Sequence, residues 1–204
     1  MNRNWYTLFG KRFLDVTLSI LLLLLLLPLF VSTYLLLLIS NKGKPFFLQS
    51  RPGYLEKEIK IIKFKSMLDI PSEANVASNS DRITIVGRFI RKTSIDEIPQ
   101  LINVIKGDMS LVGPRPLLYK YIPLYSPQQR SRHLVKPGIT GLAQVNGRNS
   151  ISWTQKFAFD IDYVEKISFK MDIKILLLTA VKIFRVKEVN QSNQQTMEPF
   201  NGHN

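Results

Sequence analysis

The chain has 204 residues, enough for one compact domain with a hydrophobic core plus a membrane element. With 45% hydrophobic and 21% charged residues it is not generally disordered, and a net charge of +13 calls for anionic partners: nucleic acid, anionic lipid or phosphorylated small molecules. The absence of cysteine excludes disulfides and thiol nucleophiles, and having only two histidines, His133 and His203, argues against a histidine metal site or a hydrolase triad.

The first element is apolar. From Val16 to Ser40 there is no charge, and Leu21 to Leu27 is an unbroken leucine run. Twenty-five helical residues rise ~37 Å, enough to cross a bilayer core. The run is too long for a signal-peptide core, and no small-residue cleavage site follows it. Pro28 removes a backbone donor mid-run and predicts a break or kink, with Ser32 and Thr33 placed to satisfy the freed groups. Basic residues flank both ends: Arg3, Lys11 and Arg12 before, Lys42, Lys44 and Arg51 after. This symmetry suits a hairpin that dips in and returns; a proline-kinked single span is the alternative.

After a turn at Asn41 to Pro45, two short strands are expected at Phe46 to Gln49 and Ile59 to Met67, the second with room for a bulge, joined through a turn at Arg51-Pro52-Gly53. Residues 70–80 are polar and predict a surface loop; Val86 to Lys92 is short, basic and apolar. A helix is expected over Ser94 to Ile105, with Ser94 and Glu97 as a capping box and Lys106-Gly107 closing it. Pro99 would move its start two or three residues later. Gly113-Pro114-Arg115-Pro116 is a loop, Tyr119 to His133 is mixed in character, and Lys136 to Arg148 is expected to be mostly turns. Two helices end the domain, Ser152 to Lys166 and Asp172 to Lys187. On the second, Lys174, Lys182 and Arg185 group on one side and Ile173, Leu176, Leu177, Ala180, Val181 and Phe184 make an apolar face. Such a helix lies either in a membrane interface or against a core. From Asn190 the chain is polar and expected to be mobile.

The sharpest candidate for chemistry is Asp96-Glu97, two adjacent carboxylates preceded by Arg88, Arg91 and Lys92. A carboxylate there could hold Mg²⁺ or attack phosphorus, with arginines binding phosphate oxygens; acidic residues at a helix start also simply oppose the macrodipole. Arg115, held between prolines, is a rigid guanidinium suited to phosphate, or a turn residue in water. Asn146-Gly147-Arg148 is an anion-binding loop or a hairpin turn. Lys63 and Lys65 would share a strand face toward phosphate or toward water. Neither a P-loop nor a G-x-G-x-x-G is present.

Several ordered stretches resemble one family over nearly the whole chain: Lys11-Arg12-Phe13-Leu14-Asp15, Gln49-Ser50-Arg51-Pro52-Gly53, Lys63-Phe64-Lys65-Ser66-Met67, Ser94 through Leu101, Lys106 to Ser110 running into Gly113-Pro114-Arg115-Pro116, and Pro137 to Gly141 through Arg148. Together they resemble the bacterial sugar transferases that act as monotopic phosphoglycosyl transferases. The resemblance implies an α+β fold: a reentrant helix-break-helix at Pro28 (residues 1–42), then a small, mostly helical cytosolic catalytic domain with short strands and interfacial amphipathic helices (43–189), then a polar tail (190–204). Members often carry Ser before the break proline; here it is Leu27. The resemblance also implies transfer of a sugar 1-phosphate from a UDP-sugar to undecaprenyl phosphate, with Mg²⁺, at the cytoplasmic face of the bacterial inner membrane, and no nucleic-acid partner. Asp96 would be the nucleophile of a ping-pong reaction and a metal ligand, and Glu97 would orient the site or assist proton movement. Arg115 and Arg148 would bind phosphate or substrate, with Arg88, Arg91 and Lys63 nearby. Ile151-Ser152-Trp153 and Phe200-Asn201-Gly202 further resemble the transferases of diacetylated bacillosamine, which leans toward an N-acetylated amino sugar, with galactose or N-acetylgalactosamine open. Two rivals remain: direct transfer in a ternary complex, and a membrane-tethered basic binding protein without catalysis.

Overall fold

The computed structural model describes residues 5–68, 83–147, 150–184, 198–202 and 204. The loop expected at 70–80, Arg148, Arg185 and tail residues 190–197 lie outside the described residues. The fold mixes helices with two small sheets. A π-helical turn, Tyr6–Gly10, leads into α1 (Lys11–Leu25), followed by α2 (Leu27–Ser40), β1 (Phe46–Pro52), β2 (Glu58–Phe64), α3 (Ile85–Lys92), α4 (Gln100–Lys106), β3 (Ser110–Val112), α5 (Pro127–Arg130), β4 (Gly138–Thr140), α6 (Leu142–Val145), α7 (Trp153–Lys166) and α8 (Phe169–Phe184).

The apolar segment does break. Leu26 leaves helical geometry (φ −89°, ψ 4°), and Pro28 takes the second position of α2, where a helix N–H has no intrahelical acceptor. Ser32 Oγ donates to Leu29 O at 3.1 Å, inside α2, and so does not serve the carbonyls at the break. No single helix among the described residues is long and apolar enough to cross a membrane. The stretches Tyr6–Leu25 and Leu27–Ser40, bent by 65° to one another, reach that length and composition only together.

α1 is fastened to the rest of the chain by polar side chains. Arg12 donates to Val104 O and Ile105 O at 2.5 and 2.7 Å, at the last carbonyls of α4. Asp15 accepts from Leu111 N at 3.0 Å, and Lys11 pairs with the fully buried Asp172 at 2.7 Å. Tyr6 and Tyr163 also donate to Asp172, so one carboxylate joins α1, α7 and α8.

β1 and β2 form an antiparallel hairpin in one-to-one register from Phe46 opposite Phe64 to Pro52 opposite Glu58. The expected bulge is therefore absent, and Arg51-Pro52 belongs to the strand. The reversal falls at Gly53 to Lys57, with Leu55 and Glu56 at φ 52° and 61°. Directly opposed residues share a face. One face sets Phe64 against Leu37 and Ile90, and the other sets Ile59 and Ile61 into the main core with Leu101, Val104, Met109, Val112, Tyr163 and Ile175.

Lys136 to Arg148 is more ordered than expected: β4 pairs in parallel with β3, and α6 follows. Gly138 makes the pairing feasible, since a Cβ there would sit 2.1 Å from Gly113 N. α7 begins where the helix is expected, and it is opened by a capping box of Ser152 with Gln155 that the sequence reading did not single out. α8 starts at Phe169, earlier than expected, and buries Asp172 and Ile175 while Leu177 and Val181 stay exposed. The described end of the tail is packed: Phe200 is buried among Tyr121, Tyr125, Trp153 and Phe157, and Trp153 Nε1 donates to Glu198 O at 2.8 Å.

Candidate active site

Asp96 and Glu97 sit in a single 3₁₀ turn, Ile95–Glu97, ahead of α4. Ser94 adopts the left-handed conformation (φ 59°) and caps nothing, so the expected capping box does not form. The glutamate is used elsewhere. Glu97 Oε1 accepts from Lys63 Nζ and from Arg115 Nη2, each at 2.7 Å. Asp96 Oδ2 lies 3.9 Å from the same Lys63 nitrogen, beyond hydrogen-bond reach. Two predicted residues from separate parts of the chain thus meet at the dyad: Lys63 from β2 and Arg115 from the Pro-Arg-Pro loop.

The two carboxylates are held in opposite electrostatic states. Burial pushes the Asp96 carboxyl up from the ordinary aspartate range; Lys63 opposes this and the Glu97 charge adds to it. Burial would raise Glu97 as well, but Arg115 and Lys63 outweigh it and hold that carboxyl well below the usual range. Glu97 in turn raises Arg115. Glu97 is therefore a fixed anion that organises two cations, and Asp96 is a carboxylate with little to stabilise its charge.

Arg91 and Arg88 are exposed on α3. Arg91 is close enough to lower Asp96 through space, while neither arginine has an ion pair with the dyad. Lys65 lies past the end of β2 and is buried, so it does not share the face of Lys63.

Two residues that sequence reasoning passed over set the geometry. Asn103 is fully buried on α4; its amide donates to Lys60 O at 2.8 Å and accepts from Ile62 N at 3.0 Å, docking α4 on β2 as a strand would and fixing Lys63 against the dyad. Arg132 pairs with Asp160, Nε and Nη2 both reaching Oδ2 at 3.1 and 2.8 Å, and Nη2 also donates to Arg115 O at 2.7 Å. This buried pair holds the loop backbone that presents Arg115. Both left a sequence signal: Asn103 interrupts the apolar run Leu101 to Ile105, and Asp160 falls in the stripe of Phe157, Tyr163 and Val164.

Between the β1–β2 hairpin, the start of α4 and the Pro-Arg-Pro loop lies an open cleft of about 300 Å³, including its solvent-open part, lined among others by Arg51, Lys63, Gln100 and Arg115. Residues 6–186 match the model of the family described as bacterial sugar transferase. The chain belongs to the bacterial sugar transferase family. It is a phosphoglycosyl transferase. An uncharacterised sugar transferase, EpsL, of Bacillus subtilis (strain 168) is 48% identical over 193 residues, covering 94% of this chain and 96% of that protein. Proteins named UDP-glucose:undecaprenyl-phosphate glucose-1-phosphate transferase are 41% identical in Caulobacter vibrioides and 40% in Escherichia coli K12, over 83% and 85% of this chain. The chain spans 67% of the Caulobacter protein and 40% of the E. coli one. The sugar in these names is glucose, so the lean toward an N-acetylated amino sugar finds no support among them.

Proposed function

We propose that this bacterial sugar transferase moves glucose 1-phosphate from UDP-glucose to undecaprenyl phosphate, releasing UMP, at the cytoplasmic face of the bacterial inner membrane. The sugar follows the names of the relatives. The chemistry rests on one observation: among the described residues Asp96 has no partner within hydrogen-bond distance, beside a Glu97 that engages two cations.

In this mechanism Asp96 attacks the β-phosphorus of the UDP-sugar. The bond to the bridging oxygen breaks, and its electron pair leaves on UMP. Lys63 and Arg115, set by Glu97, face the charge that develops on the phosphoryl oxygens. Asp96 then carries the sugar phosphate. An oxygen of the polyprenyl phosphate attacks the same phosphorus, the Asp96 carboxylate departs, and the polyprenyl diphosphate sugar forms. Splitting the displacement in two lets a soluble and a lipid-borne substrate use one cation set in turn. Glu97 is already taken up by Lys63 and Arg115, whereas the Asp96 oxygens are left open to the substrate, which favours Asp96 over Glu97 for the attack.

Mg²⁺ fits the donor set. No cluster of three His, Cys, Asp or Glu occurs among the described residues, so Asp96 would hold the ion together with substrate diphosphate oxygens, a common arrangement for this cation. When bound, it would neutralise diphosphate charge.

The test is UMP release by purified protein with Mg²⁺, undecaprenyl phosphate and a panel of UDP-sugars, alongside Asp96→Asn. UDP-glucose should give the highest rate, and the variant should lose roughly three orders of magnitude or more, the scale expected for a missing nucleophile. Mass spectrometry after UDP-glucose alone should find the adduct on Asp96; its absence under active conditions would favour direct transfer. A higher rate with an acetamido sugar would return the substrate to the amino-sugar class.

A further inference from the structure

The inward face of the β1–β2 hairpin breaks its own pattern. Ile59 and Ile61 of β2 are buried on it, yet the residues opposite them on β1 are Arg51 and Gln49. A face that packs on a core calls for apolar side chains at both strands, and exceptions to such patterning concentrate at functional sites. Arg51 is half-buried. Among the described residues its one side-chain hydrogen bond is from Nη2 to Gln49 Oε1 at 2.7 Å, and no carboxylate pairs with it. It lines the cleft with Lys63 and Arg115, both already committed to Glu97. Burial, and then the charge of Arg115, pull its affinity for the proton below the usual arginine range. Gln100 lines the same cleft; it is 4% exposed, and its side chain has no hydrogen-bond partner among the described residues. A guanidinium that is partly desolvated, lacks a counter-ion and faces two further cations is costly unless an anion completes it. Its planar fork suits two oxygens of one phosphate.

We propose that Arg51, oriented by Gln49 and with the Gln100 amide at its side, binds a substrate phosphate next to the phosphorus that Asp96 attacks. The inference rests on the reaction proposed above. The ligand is a phosphate monoester or diester oxygen pair with two sources: the α-phosphate of the nucleotide, retained in UMP, or the polyprenyl phosphate headgroup. Glutamine at Gln49 adds direction without charge, so the guanidinium keeps its full charge for the ligand.

The experiment compares Arg51→Gln and Arg51→Lys with the unaltered chain in Mg²⁺-containing lipid nanodiscs. It reads KM for UDP-glucose, KM for undecaprenyl phosphate, inhibition by UMP, and the rate of Asp96 adduct formation from UDP-glucose alone. For the nucleotide source, KM for UDP-glucose and the UMP inhibition constant rise together by about tenfold or more in Arg51→Gln, with KM for the lipid unchanged. For the lipid source, only the lipid KM rises and adduct formation stays normal. In either case Arg51→Lys recovers part of the loss, since it restores charge without the fork. Unchanged KM values and UMP inhibition in folded Arg51→Gln overturn the proposal, as does a loss confined to kcat with a lower Tm. If the unaltered chain releases no UMP from any UDP-sugar, the reaction itself is wrong. Binding of UMP and of inorganic pyrophosphate, compared between the unaltered chain and Arg51→Gln, then decides the phosphate site alone: equal affinities reject it.

Discussion

Glu97 takes two cations on a single carboxylate oxygen, while Asp96, one residue earlier, has none within hydrogen-bond distance among the described residues. The division of labour follows from that asymmetry. Glu97→Gln keeps the shape but removes the anion that gathers Lys63 and Arg115. Lys63, already 3.9 Å from Asp96, is then free to pair with it and blunt its attack. Adduct formation on Asp96 should slow about 10²-fold while the fold persists, the scale of losing one preorganised electrostatic group; an unchanged adduct rate would reduce Glu97 to a structural role. His133 makes a different prediction at the same scale. It is buried, its Nδ1 lies 3.3 Å from Gly53 O, and its Nε2 has no hydrogen-bond partner among the described residues. Burial, and then Arg132, push its pKa down to about 4. The folded chain therefore keeps it neutral where an unfolded histidine, at pKa about 6.5, would already bind a proton. The unfolded state holds more protons between those values, so stability rises with pH across that window and is lost as pH falls through it. His133→Phe should flatten the loss, on the order of 2 kcal/mol, seen as a smaller Tm difference between pH 7 and pH 5.

Two similar spacings, Ser-x-x-Gln and Ser-x-x-Glu, have different outcomes, and the difference is tertiary. Ser152 with Gln155 forms its capping box and starts α7 where the pattern predicts. Ser94 with Glu97 carries the same spacing and does not. A cap is worth about 1 kcal/mol, whereas hydrogen bonds to a charged group contribute about 1.5–3 kcal/mol each, so two cations from distant segments outcompete one local N–H. Local pattern recognised the dyad and the Pro-Arg-Pro loop, but not that Lys63 and Arg115 converge on the same glutamate, because that meeting depends on Asn103 and Arg132 holding β2 and the loop in place. The β3–β4 pair was hidden for a related reason. Its glycines signal turns locally, and only the close backbone approach at Gly113 and Gly138 gives them another use. Arg12 links these elements to the first helix. It binds at the last carbonyls of α4, whose other end follows the dyad. Arg12→Met should cost about 1–3 kcal/mol by leaving two carbonyls without their charged donor. It should also lower kcat more than KM, because α4 sets the position of the dyad. A drop in Tm with kcat intact would separate the brace from the chemistry.

At the scale of the molecule, length leaves the path of the apolar pair open. Legs of 20 and 14 residues rise ~30 and ~21 Å; bent by 65° they span ~43 Å end to end, more than the ~30 Å of a bilayer core, yet their apex stands only ~13 Å from the line joining their ends, within one leaflet. The attachments favour the second geometry. At the start of the pair, Lys11, Arg12 and Asp15 bind Asp172, the end of α4 and Leu111. At its finish, Leu37 packs on Phe64 and Ile90, and Asn41 Nδ2 donates to Lys65 O at 2.7 Å. Both ends thus grip the same catalytic body, and a span that crossed the bilayer would have to put that body on two sides at once. The exposed Leu177 and Val181 of α8, beside Lys174 and Lys182, would let the body rest on the same surface. The chain has no cysteine of its own, so single cysteines report cleanly. Trp5→Cys and Lys44→Cys, one before and one after the pair, should both react with a membrane-impermeant thiol reagent from the cytoplasmic side in inverted vesicles and stay protected in intact, right-side-out ones. Labelling from opposite sides would mean a kinked span, and would require the ties at one end of the pair to be broken in the membrane.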